Sequence, residues 1–525
     1  MQSPCCTRFC RTTFWRMDGQ RRRPRGPKRT RSVVGDQPPF AQPRMTMPPT
    51  EVVSDDELEA IHLASLRVLA ETGIDFLHRE ARTMLAVAGA SVDGDRVRFD
   101  ADMIGEYLAH IPSEFTLHGR LPGRNLQIGG NWVTFASVAS APNYVGLDGQ
   151  RRTGDRAGYQ DFLKLGQMLN SVHTFAGYPV EPVDLHASIR HLEAGYDAHT
   201  LTDKSFHIYS LGQQRNLDGI EMARLSRGVD HETFEREPSL SSIINASSPL
   251  RYDHPMLEGI IQMSARNQVI IITPFTLAGA MAPITLAGAL VQQNAEALAG
   301  LVFTQVVRKG APAVYGGFTS NVDMRSGAPA FGTPEYAKAA LVGGQLARRY
   351  NLPYRSSAVS ASNAVDAQAG YETTWALWGA IMGGANFVMH GAGWMEGGLH
   401  ASYDKMVIDA DLLHMVGQFL KPLDLSDDAL GIDAIAGVGP AGHFFGEAHT
   451  QARYQTEFYG PMVSDWRNWE TWTEAGSPTA NTRANALARE IIEQYEPPPM
   501  DDAIRAELRD FVDRRINEGG VETDF

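Results

Sequence analysis

Aromatic, amide and hydroxyl side chains follow a series of short hydrophobic runs along the middle of this chain. If those runs are the strands of one parallel barrel, the residues after them meet at its carboxyl edge, where barrel enzymes build their active sites. Ring faces attract a cation that lacks N–H donors, by about 1–2 kcal/mol each once water is removed. The pattern therefore favours a quaternary ammonium site, built from Ser137, Asn143, Tyr144, Tyr178, Glu181, Tyr209, Ser210, Asn245, Ser247, Thr273, Phe275, Tyr315, Phe318, Asp323, Ser360, Ser362, Asn363, His390, Trp394 and Glu396.

His390 is the histidine in this set. It ends the apolar run that begins at Phe387, and it precedes Gly391 and Gly393, which let a ligand or a backbone come close. A hydrogen-bonded structural histidine is the other interpretation. The place of His390 at a strand end keeps a functional role open.

Several common catalytic and cofactor motifs are missing. The sequence has no HExxH, no HxH, no GxSxG and no GxxxxGK[ST]. A GxGxxG occurs from Gly437 to Gly442, but Pro440 interrupts it and no strand pattern leads into it, so we expect a turn that opens a helix there. The cysteines are Cys5, Cys6 and Cys10, so the body of the chain has no thiol nucleophile and no Cys-ligated metal. We expect no tightly bound metal or cofactor.

The charge distribution argues against nucleic acid as a partner of the folded part. The net charge is −14, yet residues 1–50 carry eleven Lys and Arg, which leaves 36 basic and 59 acidic groups in the rest. An acidic body repels phosphate backbones. The uncharged stretch from Val269 to Val291 is long enough to span a bilayer. Because Pro274 and Pro283 interrupt it, we predict a buried strand, a loop and a core helix, and no membrane partner.

One unit repeats through the middle of the chain: a short β-type run followed by a longer amphipathic helical pattern. Eight such units predict a (β/α)8 TIM barrel over residues 126–420, with a doubly wound open sheet as the alternative. The predicted strands are Trp132–Ala136, His173–Gly177, Ser205–Ser210, Ser242–Ala246, Gln268–Thr273, Ala313–Gly316, Tyr354–Val359 and Asn386–His390.

Three segments flank the predicted barrel. Residues 1–50 are rich in Arg and Pro, and we interpret them as a disordered basic arm whose first 45 residues are dispensable; a nucleic-acid or membrane-surface tail and a transit peptide are the alternatives. Residues 51–125 form an N-terminal helical preamble that opens with a capping box from Ser54 to Glu57. Residues 421–525 form a C-terminal helical extension that packs outside the barrel.

Several segments resemble the trimethylamine methyltransferase family. The similarity covers residues 52–495 and is most specific from Ala311 to Asp409. The segments that carry it are Tyr315-Gly-Gly-Phe, Asp323-Met-Arg-Ser-Gly-Ala-Pro329, Gly332-Thr-Pro-Glu-Tyr336, Asp366-Ala-Gln-Ala-Gly-Tyr-Glu372 and Ala401-Ser-Tyr-Asp-Lys405, with Phe115-Thr-Leu-His-Gly-Arg120 and Gly439-Pro-Ala-Gly-His-Phe444 as further matches.

The resemblance implies a fold and an activity. Members are (β/α)8 barrels that move a methyl group from an amine to the Co(I) of a separate corrinoid protein. Trimethylamine-specific members carry pyrrolysine just before a segment like the one that begins at Asp366. The position here is Asn363, so the chain resembles the non-pyrrolysine branch, which favours quaternary amines such as glycine betaine.

These inferences combine into one predicted pocket at the carboxyl face of the barrel. We expect a corrinoid (B12-binding) protein to dock there, an amine substrate, a cytoplasmic location and a homo-oligomer. A tertiary-amine methyltransferase, a non-catalytic betaine-binding barrel and a protein that binds nucleic acid through its arm are the alternatives. The predicted catalytic residues are Asn363 and His390, and the predicted substrate-binding residues are Tyr144, Tyr209, Phe275, Tyr315 and Trp394.

Overall fold

The computed structural model describes residues 37–523, and at their centre eight parallel strands close into a barrel. Every strand overlaps one of the eight predicted runs, so the (β/α)8 fold is confirmed and the open sheet is excluded. The strands are β1 (Thr134–Ser137), β2 (Thr174–Phe175), β3 (Ser205–His207), β4 (Leu240–Ile244), β5 (Val269–Ile272), β6 (Ala313–Gly316), β7 (Tyr354–Ser357) and β8 (Phe387–Ala392).

Each barrel strand pairs in parallel with the strands before and after it in the chain. The barrel closes where β8 pairs with β1, with Val388 opposite Phe135 and Ala392 opposite Ser137. Four residue steps on β8 therefore match two steps on β1. The extra residues form a bulge, which bends β8 at its carboxyl end.

Helices connect the strands on the outside of the barrel. Several begin at a side-chain cap, as where Asp155, Asp366 and Ser402 each accept a backbone N–H. A short helix, His231–Arg236, is inserted before β4. The connecting helices are α1 (Arg156–Met168), α2 (Arg190–Leu201), α3 (Gln213–Arg227), α4 (His254–Ala265), α5 (Leu286–Val307), α6 (Pro334–Arg349), α7 (Ala367–Met382) and α8 (Tyr403–Phe419).

The uncharged stretch from Val269 to Val291 contains β5, a loop and the first turns of α5, as predicted. Gln292, Asn294 and Glu296 follow within the same helix and are buried. Within residues 37–523, no helix combines the length and the apolar character needed to cross a bilayer.

Inward-facing side chains fill the part of the barrel near its amino end, and we call this cluster the apolar plug. It contains residues from both halves of the barrel, among them Ala136, Ile271, Val314, Phe387 and Met389. A two-stranded hairpin outside the barrel adds Leu117, Leu126 and Ile128 to the same cluster. This hairpin, Glu114–Leu117 with Leu126–Gly129, covers the amino end of the barrel.

Residues 51–125 hold the predicted helices and also strands that were not predicted. The capping box at Ser54 and Glu57 is present. The helices are Asp55–Arg67, Arg79–Val87 and Ala101–Leu108, with a π-helical turn at Val68–Thr72 and a 3-10 turn at Pro122–Arg124. Three short strands that the helical pattern does not predict join Arg251–Tyr252 in one sheet; they are Ile74–Phe76, Ser91–Asp93 and Arg96–Arg98.

Short strands also stiffen the loops at the carboxyl face of the barrel. One small sheet follows β5 and β6 and contains Leu277–Ala278, Ser320–Val322 and Pro329–Ala330. A second sheet follows β1 and β8 and contains Asn143–Val145, Arg151–Thr153, Trp394–Met395 and His400–Ser402, with a 3-10 turn at Glu396–Gly398. These sheets limit the freedom of the loops that surround the site.

Residues 37–50 run against the amino end of the barrel, which corrects their assignment to a disordered arm. The Phe40 ring lies 5.4 Å from the His173 ring, and Met45 is buried. Apolar contacts and backbone hydrogen bonds therefore order a segment whose Pro and Arg content suggested disorder. The predicted disorder of residues 1–36 lies outside the described residues.

The C-terminal segment contains further helices, as predicted. Ala480–Glu493 packs against α1 and α8, and Asp502–Asn517 packs against α2 and α3. The others are short: Asp427–Leu430, Ile432–Val438, Ala448–Arg453 and Trp469–Glu474.

Because Met45 is buried to 6% exposure, we expect Met45→Ala to lower the free energy of unfolding by about 2–3 kcal/mol. Met324 is 67% exposed, so Met324→Ala is the matched control and is expected to change stability little. Thermal and denaturant unfolding of both variants measure the difference. Equal midpoints for the two variants would contradict the ordered packing of residues 37–50.

Candidate active site

His390 lies in the bulge of β8, and its backbone has a φ of 56°. Its ring centroid is 4.1 Å from that of Trp394, and its Nδ1 atom is 3.2 Å from the Ser357 hydroxyl. Burial lowers the pKa of His390 well below its usual value, and the positive charge of Arg355 acts in the same direction. The imidazole is therefore neutral at physiological pH.

Four rings meet at the carboxyl end of the barrel, and we call Phe275, Phe318, His390 and Trp394 the Phe318 cluster. The Phe318 centroid is 5.2 Å from that of Phe275, 5.8 Å from that of His390 and 6.4 Å from that of Trp394. Phe331 packs behind Phe318 at 5.3 Å. Three of the seven predicted site residues thus lie together, around a phenylalanine from the wider predicted set.

Arg355 lies beneath the Phe318 cluster and is fully buried. Its Cζ atom is 5.2 Å from the Phe318 centroid, and its Nη1 donates to the Gly317 carbonyl at 3.3 Å. Within residues 37–523, no carboxylate pairs with this guanidinium. Burial lowers the pKa of Arg355 to about 10, so it stays charged at neutral pH. A Cβ at Gly316 would lie 2.6 Å from both the Ile272 carbonyl oxygen and the Thr273 hydroxyl, and 3.4 Å from Arg355 Cδ, so there is no room for a larger residue beside Arg355.

A second buried histidine, His207, ends β3 and contributes to the same region. Burial lowers its pKa to about 3, with Arg355 as a further cause. Buried polar atoms usually have a hydrogen-bond partner, so unpaired ones that converge mark a place for a ligand or for water. Within the described chain, the atoms here that lack a partner are Arg355 Nε, His207 Nδ1, Thr273 Oγ1 and Trp394 Nε1.

Sequence reasoning missed Arg355 and His207. A signal for Arg355 is present, since it is a charged residue within the strand run that begins at Tyr354. A cation in a barrel strand must face either the helices or the interior, and both are costly without a function.

Tyr315 does not belong to the site, which corrects its assignment to substrate binding. It is fully buried on the outer side of β6, and its hydroxyl donates to Asn294 of α5 at 3.0 Å. Its ring contacts Tyr350 and Tyr354 rather than the Phe318 cluster. Successive side chains of a strand alternate between faces, and Val314 takes the inward position.

Tyr144 also lies apart, against α1 and α8. Its ring is 6.2 Å from Phe162 and 5.9 Å from Tyr403, and its hydroxyl points to Asp155. It serves packing between a carboxyl-face loop and the helices. The prediction that it lines a common pocket with His390 is wrong.

Tyr209 lies on the opposite side of the barrel mouth from β8. Its ring is 5.4 Å from that of His207, which links it to the polar region. Its hydroxyl accepts the Tyr178 backbone N–H at 3.0 Å and a hydrogen bond from Ser140 at 2.9 Å. It also borders a separate cavity of about 160 Å³, where burial raises the pKa of Glu181 to about 7.

Asn363 is exposed in the loop between β7 and α7. Glu372 holds this loop, since its carboxylate accepts hydrogen bonds from the Ser360 hydroxyl and the Ala361 N–H, each at 2.8 Å. Asn363 therefore lies at the rim of the carboxyl face. Its catalytic role, and that of His390, stay predictions.

One group of potential metal ligands lies outside the barrel mouth, at His78, His254 and Glu258. His78 already uses both ring nitrogens: Nδ1 accepts the Ala81 N–H at 3.2 Å as a helix cap, and Nε2 lies 2.8 Å from Glu258. Hydrogen bonding explains this arrangement without an ion.

The GxGxxG sequence forms a turn, as expected, but the turn ends a helix and does not open one, which corrects that part of the expectation. It ends the helix Ile432–Val438, where Gly439 has a φ of 66°. A dinucleotide fingerprint instead follows a strand and opens a helix. This motif has the reverse arrangement.

A buried ion pair supports the backbone just beyond His390. Lys405 of α8 pairs with Asp409, and both side chains are 2% exposed. The second Asp409 oxygen accepts the Gly393 N–H at 2.8 Å, and Lys405 also donates to Thr373 at 2.9 Å. The pair thereby fixes the segment that joins His390 to Trp394.

Comparisons with known proteins agree on one family. The family described as Trimethylamine methyltransferase (MTTB) matches residues 18–520. Glycine betaine methyltransferase of Desulfitobacterium hafniense (strain Y51) is 35% identical over 477 residues, which cover 91% of this chain and 99% of that protein. Trimethylamine methyltransferase MttB of Desulfitobacterium hafniense (strain DSM 10664 / DCB-2) is 30% identical over 473 residues, 89% and 94% of the two chains.

A solved structure, the crystal structure of the hydroxylamine MtmB complex, aligns with 85% of this chain and 89% of its own. The TM-score is 0.49 and the sequence identity is 13%.

Because Asp409→Asn leaves the Lys405 ammonium buried without its counter-charge, we expect it to lower the free energy of unfolding by about 3–5 kcal/mol. The exposed pair of Arg67 and Glu71 supplies the control, Glu71→Gln, for which little change is expected. Denaturant unfolding compares the two. A similar small effect from both variants would show that the buried pair does not hold this segment.

Proposed function

The chain belongs to the trimethylamine methyltransferase family and is a methyltransferase, and on that premise we propose that it moves a methyl group from a quaternary amine to the Co(I) of a separate corrinoid protein. The observation that carries the proposal is the Phe318 cluster. Aromatic faces and a neutral histidine meet there at the carboxyl end of the barrel, which is the environment that a cation without N–H donors requires.

The chemistry needs little from acid or base catalysis. When the bond between a methyl carbon and a quaternary nitrogen breaks, its electron pair stays on nitrogen and a neutral tertiary amine leaves. The methyl group accepts its new electron pair from the cobalt of the partner protein. A tertiary amine donor would instead release the anion of a secondary amine, unless its nitrogen were protonated or otherwise activated first. This difference favours a quaternary donor in a site whose two histidines are neutral.

The residues of this chain then act by desolvation and alignment. The rings of Phe275, Phe318 and Trp394 replace the water around the ammonium head. Neutral His390 adds a polar edge without opposing the cation, and Asn363 lies at the rim. The bulge of β8 sets the direction of the His390 ring.

We expect methyl-Co(III) to form when this protein, a reduced corrinoid protein and glycine betaine are mixed, as followed by the visible spectrum of the cobalt centre. Trimethylamine and dimethylglycine in place of glycine betaine test the tertiary-amine alternative. Glycine betaine that binds without any cobalt methylation, with each candidate corrinoid protein, would instead support a betaine-binding barrel and overturn the proposal.

We expect Trp394→Leu to raise the KM for the quaternary amine about tenfold, since about 1.4 kcal/mol of cation–π attraction is lost while the position stays apolar. Tyr315→Phe is the control, because Tyr315 faces the helices and loses only its hydrogen bond to Asn294. That variant should unfold more easily and keep its KM. An unchanged KM in Trp394→Leu together with a raised KM in Tyr315→Phe would place the substrate elsewhere.

A further inference from the structure

We infer that Arg355 binds a carboxylate of the substrate and so selects quaternary amines that are zwitterions. The inference rests on the proposed function and specifies its substrate class. It starts from the charge of Arg355, which is fully buried and whose guanidinium contacts one carbonyl and one ring face.

A buried guanidinium without a counter-charge is rare, because removing it from water is costly. Within residues 37–523, other arginines form ion pairs at the surface or in partly buried positions, but none of these pairs includes Arg355. Its Nε–H also lacks an acceptor. A guanidinium presents N–H groups in a planar fork that matches the two oxygens of a carboxylate. A ligand that carries a carboxylate would satisfy both the charge and the free donor.

The position of Arg355 relative to the aromatic rings fits the two ends of a small zwitterion. Its Cζ atom is 5.2 Å from the Phe318 centroid, and the Trp394 ring lies 6.4 Å from the same centroid. The unpaired Thr273 hydroxyl lies beside it, since both flank Gly316. A carboxylate and a trimethylammonium group joined by a short carbon chain span such a distance.

The same charge disfavours amines that lack a carboxylate. A substrate with a net charge of +1 would enter a site that already holds an uncompensated cation, and like charges in a buried site repel strongly. The carboxylate of a zwitterion reverses this effect. The other predicted anchors are weaker candidates, since His390 is neutral and Asn363 is exposed at the rim.

Glycine betaine and choline are the probes, because both carry a trimethylammonium group. Glycine betaine has a carboxylate where choline has a hydroxymethyl group. We expect calorimetry to show wild-type protein binding glycine betaine at least tenfold more tightly than choline. Arg355→Met should reduce that ratio by about tenfold or more, mainly through weaker glycine betaine binding. Arg355→Lys keeps the charge and loses the fork, so it should give an intermediate ratio.

Arg348→Met is the control variant, since Arg348 lies at the far end of α6 and donates to the Gly383 carbonyl; it should keep the wild-type ratio. A wild-type protein that does not prefer glycine betaine, or an Arg355→Lys or Arg355→Met variant that keeps the preference, overturns the inference. Binding is measured without a corrinoid protein. A preference that Arg355 controls, without any methyl transfer, would therefore refute the proposed function and leave the inference standing.

Discussion

Closure of the barrel between β8 and β1 is the constraint on which the site depends. The two strands pair at their amino ends, then fall out of register, and pair again at Ala392 and Ser137. The extra residues must leave the sheet, and His390 takes a left-handed backbone conformation at that point. A Cβ at Gly391 would lie only 3.0 Å from the Ala136 carbonyl, so the returning strand has little room for a larger residue.

The barrel interior is apolar near the amino end and polar near the carboxyl end. The apolar plug supplies burial and makes a rigid base. Above it, two neutral histidines, an unpaired arginine and several unpaired donors lie at the carboxyl end. Each of these buried groups costs stability when it has no partner. A fold that keeps such groups together obtains binding specificity from them, and the well-packed base offsets the cost.

The periodicity of the sequence predicts the barrel architecture, but it does not predict whether an individual side chain faces the barrel interior or the helices. All eight strands overlap the β-type runs that predicted them, and each is buried on both faces, so no alternation of polar and apolar residues marks its two sides. The same property hides which residues face inward. Tyr315 was therefore assigned to the site although it faces the helices, while Arg355 was overlooked. Residues 37–50 were misassigned for another reason, since composition carries no information about a surface on which a polar segment can pack.

The covered amino end has a consequence for the order of events. The hairpin, residues 37–50 and the apolar plug close that end of the barrel, so molecules exchange with the site through the carboxyl face. Under the proposed function the corrinoid protein occupies that same face during transfer. Amine entry and product exit would then alternate with docking of the protein partner. The proposed function therefore implies a compulsory order in which the amine binds before the corrinoid protein, and excess corrinoid protein would slow turnover by sealing the amine-free enzyme.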